Sequence, residues 1–102
     1  MKKLFLVIDQ GTTSSRVVLY TKKFEIFDFV QKEFTQFFPR EGWVEHDANE
    51  IWNDVKNLIN RILKKNKLSS NNIISIGITN QRETTVLWNK ISGKPICKAI
   101  VW

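Results

Sequence analysis

The segment LFLVIDQGTTSSR, residues 4–16, changes abruptly from apolar to polar. Its first five residues are continuous and apolar, which predicts a short, fully buried strand. Asp9, Gln10 and Gly11 supply turn chemistry, and the run RVVLY at residues 16–20 predicts a second strand. We therefore expect a tight turn between two strands, in which Gly11 lets a ligand approach the backbone closely.

The residues after the second strand predict one further strand and then a helix. Residues 24–34 follow a short polar link, which favours an antiparallel meander. After an irregular loop at residues 39–45, Asp47 provides an N-cap and Glu50 completes a capping box. The helix carries one apolar stripe at helical spacing, made of Ile51, Val55, Leu58, Ile59, Ile62 and Leu63.

The last third of the chain predicts a return to strands. Residues 73–79, IISIGIT, form a strand that is reached through the helix, which favours a parallel neighbour. Residues 84–88 and 95–102 flank Gly93 and predict a β-hairpin. The predicted order is therefore β-β-β-α-β followed by a hairpin, which is an α/β structure with a mixed sheet.

The composition limits the possible classes of protein. A chain of 102 residues that is 42% hydrophobic can form one small domain with a core. A single cysteine, Cys97, excludes an internal disulfide framework and a cysteine-based zinc site. No apolar run is long enough to span a membrane, and we expect a cytoplasmic protein.

The net charge of +6 raises the question of a nucleic-acid partner. The basic residues are spread along the chain, and the dense cluster at Lys64, Lys65 and Lys67 lies at the predicted helix end, where the macrodipole favours cations. We therefore expect no nucleic-acid partner, although a small basic nucleic-acid-binding module stays open as an alternative.

The polar turn carries chemistry that suits phosphate. Thr12, Thr13 and Ser14 offer hydroxyl and N–H donors, and Arg16 adds a fixed cationic fork. Asp9 could reach a hydrated magnesium ion. The two common phosphate-loop motifs, G-x-G-x-x-G and G-x-x-x-x-G-K-[ST], are both missing. From the pattern alone, an ordinary hairpin with a solvated polar tip remains the alternative.

The pattern Asp-x-Gly-Thr-(Thr/Ser)-x-(Ser/Thr) after a buried first strand resembles the first phosphate loop of the actin-like, ribonuclease H-like ATPase domain. Three further stretches narrow the resemblance: PREGWVEHDANEIW at 39–52, IGITNQRETTVLWNKISGKPI at 76–96 and AIVW at 99–102. Together they resemble the FGGY carbohydrate kinase family and, within it, the members that phosphorylate glycerol. The resemblance implies that residues 1–102 form an incomplete N-terminal kinase domain, with the second domain absent.

The resemblance implies ATP-dependent phosphorylation of glycerol to sn-glycerol 3-phosphate, with ATP and Mg²⁺ as cofactors. It assigns Thr12, Thr13 and Ser14 to the nucleotide-phosphate loop, with Arg16 beside them. It also makes Asp9 the loop carboxylate that is associated with magnesium.

For the second substrate, the resemblance implies that Arg82 and Glu83 hold the glycerol hydroxyls and that Trp102 packs against the glycerol carbon skeleton. A guanidinium donates to hydroxyls and a carboxylate accepts from them, so the pair suits a polyol. The alternative for Arg82 and Glu83 is a surface ion pair, which contributes little.

The same resemblance places the catalytic base, the second phosphate loop and the adenine pocket downstream of these residues. We therefore expect the isolated chain to be inactive and the full-length enzyme to be a homo-oligomer. A non-catalytic truncated remnant is the main alternative. His46 is the only histidine, but a general base needs a positioned partner and reach to the hydroxyl. The sequence therefore assigns His46 no catalytic role.

Overall fold

A mixed four-stranded sheet organises the computed structural model, which describes residues 2–101. The elements in chain order are β1 (Leu4–Gln10), β2 (Ser14–Tyr20), β3 (Ile26–Glu33), β4 (Glu45–His46), α1 (Ala48–Lys65), β5 (Ile73–Thr79) and β6 (Ala99–Ile100), with a short 3-10 helix at Ser70–Asn72. The sheet has the order β3-β2-β1-β5, with β1 antiparallel to β2 and parallel to β5. The predicted meander, helix and parallel crossover are therefore confirmed.

Helix α1 covers one face of the sheet and completes the core. Its buried Leu58 and Ile62 join a cluster with Leu6 and Val17 of the central strands. Asp47 caps the helix, because its carboxylate accepts from the N–H groups of Asn49 and Glu50 at 2.9 and 3.4 Å. The apolar stripe predicted from the sequence thus provides the packing face of the helix.

The other half of the predicted capping box has a different partner. The carboxylate of Glu50 accepts from the hydroxyl and the N–H of Thr35 at 3.0 and 3.2 Å. Glu50 therefore ties the start of α1 to the segment that follows β3.

Strand β5 is an edge strand with an irregular start. Leu4 lies opposite Ile73 and Phe5 lies opposite Ser75, so Ile74 has no counterpart on β1. Beyond this bulge the register is regular up to the last pair, Asp9 and Thr79. Within residues 2–101, β5 is paired on one side only, and Ile78 on it is 70% exposed.

The C-terminal strands differ from the prediction. Instead of a hairpin of two full strands, residues 84–88 and 95–101 make single bridges, Trp88 with Pro95 and Thr85 with Ile100. Ala99 and Ile100 form β6 with Glu45 and His46, which include the end of the predicted irregular loop. Two-residue strands carry no detectable periodicity, so the sequence could not reveal this pairing.

The basic cluster at the end of α1 has a structural role. Lys64 and Lys65 lie in the last helical turn, and the Lys65 ammonium pairs with Asp28 of β3 at 3.2 Å. The Asn66 side-chain amide also donates to Asp28, at 2.9 Å. This hydrogen bond is the largest cause that lowers the pKa of Asp28. Of the helices in residues 2–101, none combines the length and the apolar character needed to cross a bilayer.

Candidate active site

The parallel pairing of β1 with β5 brings two polar segments to one edge of the sheet. The loop at residues 11–13 follows β1, and the turn that contains Arg82 and Glu83 follows β5. In open α/β sheets, ligands bind outside the carboxyl ends of such strands. The predicted phosphate loop and the predicted glycerol residues therefore lie at the same edge.

The loop between β1 and β2 is a tight turn, as predicted. The Gly11 N–H donates to the carbonyl of Ser14 at 3.0 Å. A Cβ atom at Gly11 would lie 3.3 Å from that same carbonyl oxygen, which is closer than most real Cβ contacts. A side chain at position 11 would therefore require the Ser14 carbonyl to shift by a few tenths of an ångström.

Asp9 and Arg16 form the charged base of the loop. They are opposite each other in the β1–β2 register, and the Arg16 Nε and Nη2 atoms donate to Asp9 Oδ2 at 3.2 and 2.9 Å. Thr79 donates its hydroxyl to Asp9 Oδ1 at 2.9 Å. The Asp9 side chain is still 40% exposed, so the carboxylate is held in place and open to solvent.

The surroundings of Asp9 suit a hydrated magnesium ion better than a dehydrated metal. Within residues 2–101, no group of three or more histidine, cysteine or acidic side chains could enclose a metal. Mg²⁺ usually keeps several waters and binds one or two carboxylates together with substrate phosphates. A carboxylate has about four acceptor positions, and Arg16 and Thr79 occupy three at Asp9. The one remaining acceptor position of Asp9 fits a hydrogen bond from a water molecule that is bound to the magnesium ion.

The hydroxyl-rich residues divide between the loop and the strand. Thr12 and Thr13 lie in the loop, and neither N–H group donates a hydrogen bond within the part of the chain that the structure describes. Ser14 is already the first residue of β2, two residues earlier than the predicted strand start, and its hydroxyl accepts from Gln31 at 2.8 Å. Ser15 is buried and donates to Gln10 at 2.8 Å. Thr12 and Thr13 thus keep unused N–H donors, and the Ser14 hydroxyl, which accepts from Gln31, keeps its own proton to donate.

Arg82 and Glu83 occupy an exposed turn after β5. They form no ion pair with each other within 4.0 Å, and no ion pair with another residue of the described range 2–101. The backbone of Glu83 has φ 64°, in the left-handed region that side chains other than glycine rarely adopt. Strain of this kind concentrates at functional sites.

Trp102 lies outside the described residues. The residue before it, Val101, is buried, and its N–H donates to the carbonyl of Val44 at 2.9 Å. The end of the described chain is therefore anchored beside β4.

Three residues at the site were missed by the sequence analysis: Gln36, His46 and Gln81. His46 is 0% exposed, and its ring contacts Phe34 edge-on at 4.7 Å between centroids. Its Nε2 lies 2.7 Å from Gln36 Oε1, and its Nδ1 lies 3.3 Å from Gln81 Nε2. Burial lowers the pKa of His46, partly opposed by the hydrogen bond with Gln81 and the negative charge of Glu50.

An apolar cleft of about 440 Å³ opens next to this cluster. Its walls include Ile51 and Val55 of α1 and Ile78 of β5, and Gln81 and Thr84 are among its polar lining residues. In the sequence, the feature that pointed to this region was the polar run TNQRETT at residues 79–85, at the end of β5 and after it. That signal did not identify His46 as a neighbour, because His46 is 35 residues away along the chain.

The chain matches known proteins along almost its whole length. Residues 4–102 match the model of the FGGY family of carbohydrate kinases, N-terminal domain. A glycerol kinase from Oceanobacillus iheyensis is 60% identical over 101 residues, which are 99% of this chain and 20% of the relative. The chain therefore spans about a fifth of the length of this relative.

Solved structures agree with the sequence comparison. The crystal structure of Plasmodium falciparum glycerol kinase with ADP matches with a TM-score of 0.88 and 41% identity, over 99% of this chain and 20% of that one. A xylulose kinase from Lactobacillus acidophilus matches with a TM-score of 0.84 at 21% identity, over 96% and 19% of the two chains, and so shows the same fold. The expected kinase-type α/β fold is confirmed, and the chain belongs to the FGGY family of carbohydrate kinases through the family's N-terminal domain.

Proposed function

We propose that this chain supplies the first phosphate loop and part of the glycerol site of an ATP-dependent glycerol kinase. The observation that carries the proposal is the hydrogen bond from Gln81 to the carbonyl of Gly11, at 2.8 Å. It joins the loop after β1 to the turn that contains Arg82 and Glu83, so that a phosphate and a small polyol would be held side by side. The 60% identity to a glycerol kinase favours glycerol as the polyol.

On the nucleotide side, Thr12 and Thr13 offer N–H and hydroxyl donors to phosphate oxygens, with Ser14 at the end of the loop. Arg16 lies beside the loop and adds positive charge while it orients Asp9. We place the hydrated Mg²⁺ of the nucleotide next to Asp9; when bound, it neutralises developing charge on the phosphates.

On the glycerol side, Arg82 donates to hydroxyl oxygens and Glu83 accepts from hydroxyl hydrogens. Both side chains are exposed and free of ion pairs among residues 2–101, so their donors and acceptors remain available to a ligand. Trp102 is proposed to cover the carbon skeleton of glycerol. A site built to satisfy every hydroxyl rejects an analogue that lacks one, because its polar groups are then left unpaired.

The rest of the machinery would belong to a longer polypeptide, since the chain covers about 20% of its relatives. We propose that the catalytic base, the second phosphate loop and the second domain come from that longer protein, which is a cytoplasmic homo-oligomer. The nucleic-acid module has no separate structural observation in its favour, because Lys64 and Lys65 lie in the last turn of α1 and Lys65 pairs with Asp28. No observation on residues 2–101 separately favours the truncated remnant.

A chimera tests the proposal directly. This chain replaces the matching 101 residues of the Oceanobacillus iheyensis glycerol kinase, and glycerol-dependent ADP formation is measured. We expect kcat within about tenfold of the parent, and Arg82→Lys should raise the KM for glycerol by about tenfold because lysine cannot donate bidentately. A folded chimera without turnover would refute the proposal. The isolated chain should show no turnover, and clear turnover by it would contradict the assignment of the base to other residues.

A further inference from the structure

Gln36, His46 and Gln81 form a closed circuit of hydrogen bonds with the backbone of the loop. Gln36 Nε2 donates to the carbonyl of Thr12 at 3.0 Å, and Gln81 Nε2 donates to the carbonyl of Gly11 at 2.8 Å. His46 joins the two amides, with Gln36 on one ring nitrogen and Gln81 on the other. We call this arrangement the amide–imidazole ring.

The ring fixes the proton on His46. Because Gln36 turns its nitrogen to Thr12, its oxygen faces His46 Nε2 at 2.7 Å, so Nε2 must be the protonated donor. Nδ1 is then a bare acceptor for Gln81 Nε2. The Gln81 oxygen accepts from the Thr84 hydroxyl at 2.8 Å. Every polar atom of the three side chains therefore has a partner, and the imidazole is neutral.

The two anchored carbonyls determine where the loop N–H groups point. In a trans peptide unit the C=O and the N–H point in opposite directions. Holding the Gly11 carbonyl against Gln81 therefore turns the Thr12 N–H away from the ring, and holding the Thr12 carbonyl against Gln36 does the same for the Thr13 N–H. Neither of these two N–H groups has an acceptor within residues 2–101.

We propose that His46 is a positioning residue, which locks the amide–imidazole ring so that the N–H groups of Thr12 and Thr13 face the nucleotide phosphates. The inference rests on the proposed function for its ligand, but the ring itself is a property of the chain. His46 is fully buried, so it would act through Gln36 and Gln81 and not by direct contact with a substrate. Gln81 also begins the turn with Arg82 and Glu83, so the ring links the two ends of the site.

Two substitutions of His46 each remove one of its two hydrogen bonds and keep the other. In His46→Asn, the amide oxygen occupies the place of Nδ1 and keeps the bond from Gln81, but the bond to Gln36 is lost. In His46→Gln, the amide nitrogen occupies the place of Nε2 and keeps the bond to Gln36, but the bond from Gln81 is lost. The first variant loosens Gln36 and, through it, the Thr12 carbonyl. The second loosens Gln81 and, through it, the Gly11 carbonyl and the turn that contains Arg82 and Glu83.

Kinetics of the chimera then give a signature that a purely structural role would not produce. We expect His46→Asn to raise the KM for ATP about tenfold and to leave the KM for glycerol within about twofold. His46→Gln should raise both KM values. The matched control is Ile62→Val, which trims a fully buried residue of α1 away from the loop. If both His46 variants lose activity only in proportion to their loss of thermal stability, as the control does, the proposal is wrong.

Nuclear magnetic resonance of the isolated chain tests the amide–imidazole ring by a measurement that does not depend on enzymatic activity. His46 is the only histidine, so its ¹⁵N signals need no assignment between sites. We expect the neutral form with the proton on Nε2 at pH 7.5, and in His46→Asn the amide of Thr13 should become more mobile while that of Thr12 does not. A proton on Nδ1, or unchanged amide mobility, would overturn the proposal. If the unaltered chimera were inactive, the proposed function would fail. The magnetic resonance measurement alone would then show whether the amide–imidazole ring forms and holds the loop.

Discussion

Replacing Glu83 with glycine should stabilise the chain while it weakens glycerol binding. Glu83 is held at φ 64°, and the left-handed region costs a residue with a side chain about 1–2 kcal/mol. Glycine avoids that strain, but it gives the unfolded chain more conformational entropy, which lowers the free energy of unfolding by about 0.4–1 kcal/mol. The difference leaves a net gain of about 0.5–1 kcal/mol, which corresponds to a rise of about 2–8 °C in Tm for a domain of this size.

The assay pairs thermal unfolding of the chain with glycerol kinetics of the chimera. Arg82→Gly is the matched control, because Arg82 is the exposed neighbour and its φ is not positive. That variant should lower Tm, since it adds the entropy without relieving strain. Glu83→Gln keeps the strain and removes the charge, so it should raise the KM for glycerol without raising Tm. If Glu83→Gly lowers Tm as Arg82→Gly does, no strain is stored at this turn. An unchanged KM for glycerol would instead remove Glu83 from the substrate site.

Three further outcomes follow from the loop and its surroundings. Gly11→Ala places a Cβ atom 3.3 Å from the Ser14 carbonyl and should raise the KM for ATP in the chimera by about tenfold; an unchanged KM would show that the loop tolerates the shift. Asp9→Asn removes the negative charge that faces Arg16 and that Mg²⁺ prefers, so the Mg²⁺ concentration for half-maximal rate should rise. Stability should fall by at most about 1 kcal/mol because the pair is partly exposed, and an unaltered Mg²⁺ titration would contradict this. Because burial lowers the pKa of His46 below 6.5, the unfolded chain binds more protons just below that pH, and the free energy of unfolding should be highest above 6.5 and fall as the pH drops through it. Urea midpoints near pH 7.5 and pH 5.5 check this, and His46→Gln should remove this part of the pH dependence.

The sequence predicted the elements whose signals are local. The apolar run of β1, the Asp47 cap and the stripe of α1 each depend on residues within about a helical turn of one another, and all three appear in the structure. The parallel partner of β1 could be predicted as well, because a helical crossover leaves few other topologies.

The amide–imidazole ring could not be predicted in the same way. His46 meets its two amide partners across separations of 10 and 35 residues, and glutamine has no spacing pattern that announces such a contact. The sequence assigned no role to His46 because no partner was visible. The two-residue strand β4, which carries His46, was likewise too short to produce a pattern.

The bulge at Ile74 has a consequence for the way related sequences are aligned. The bulge sets the β1–β5 register, which ends with Asp9 opposite Thr79. Thr79 lies five residues after Ile74, which is about 17 Å along the strand at roughly 3.3 Å per residue. A one-residue insertion between Ser75 and Gln81 would turn every following side chain of the strand to the opposite face and move Gln81 away from Gly11. Length variation in this region should therefore accumulate before Ile74, in the link after α1. An alignment gap placed inside residues 75–81 would pair residues that do not occupy equivalent positions.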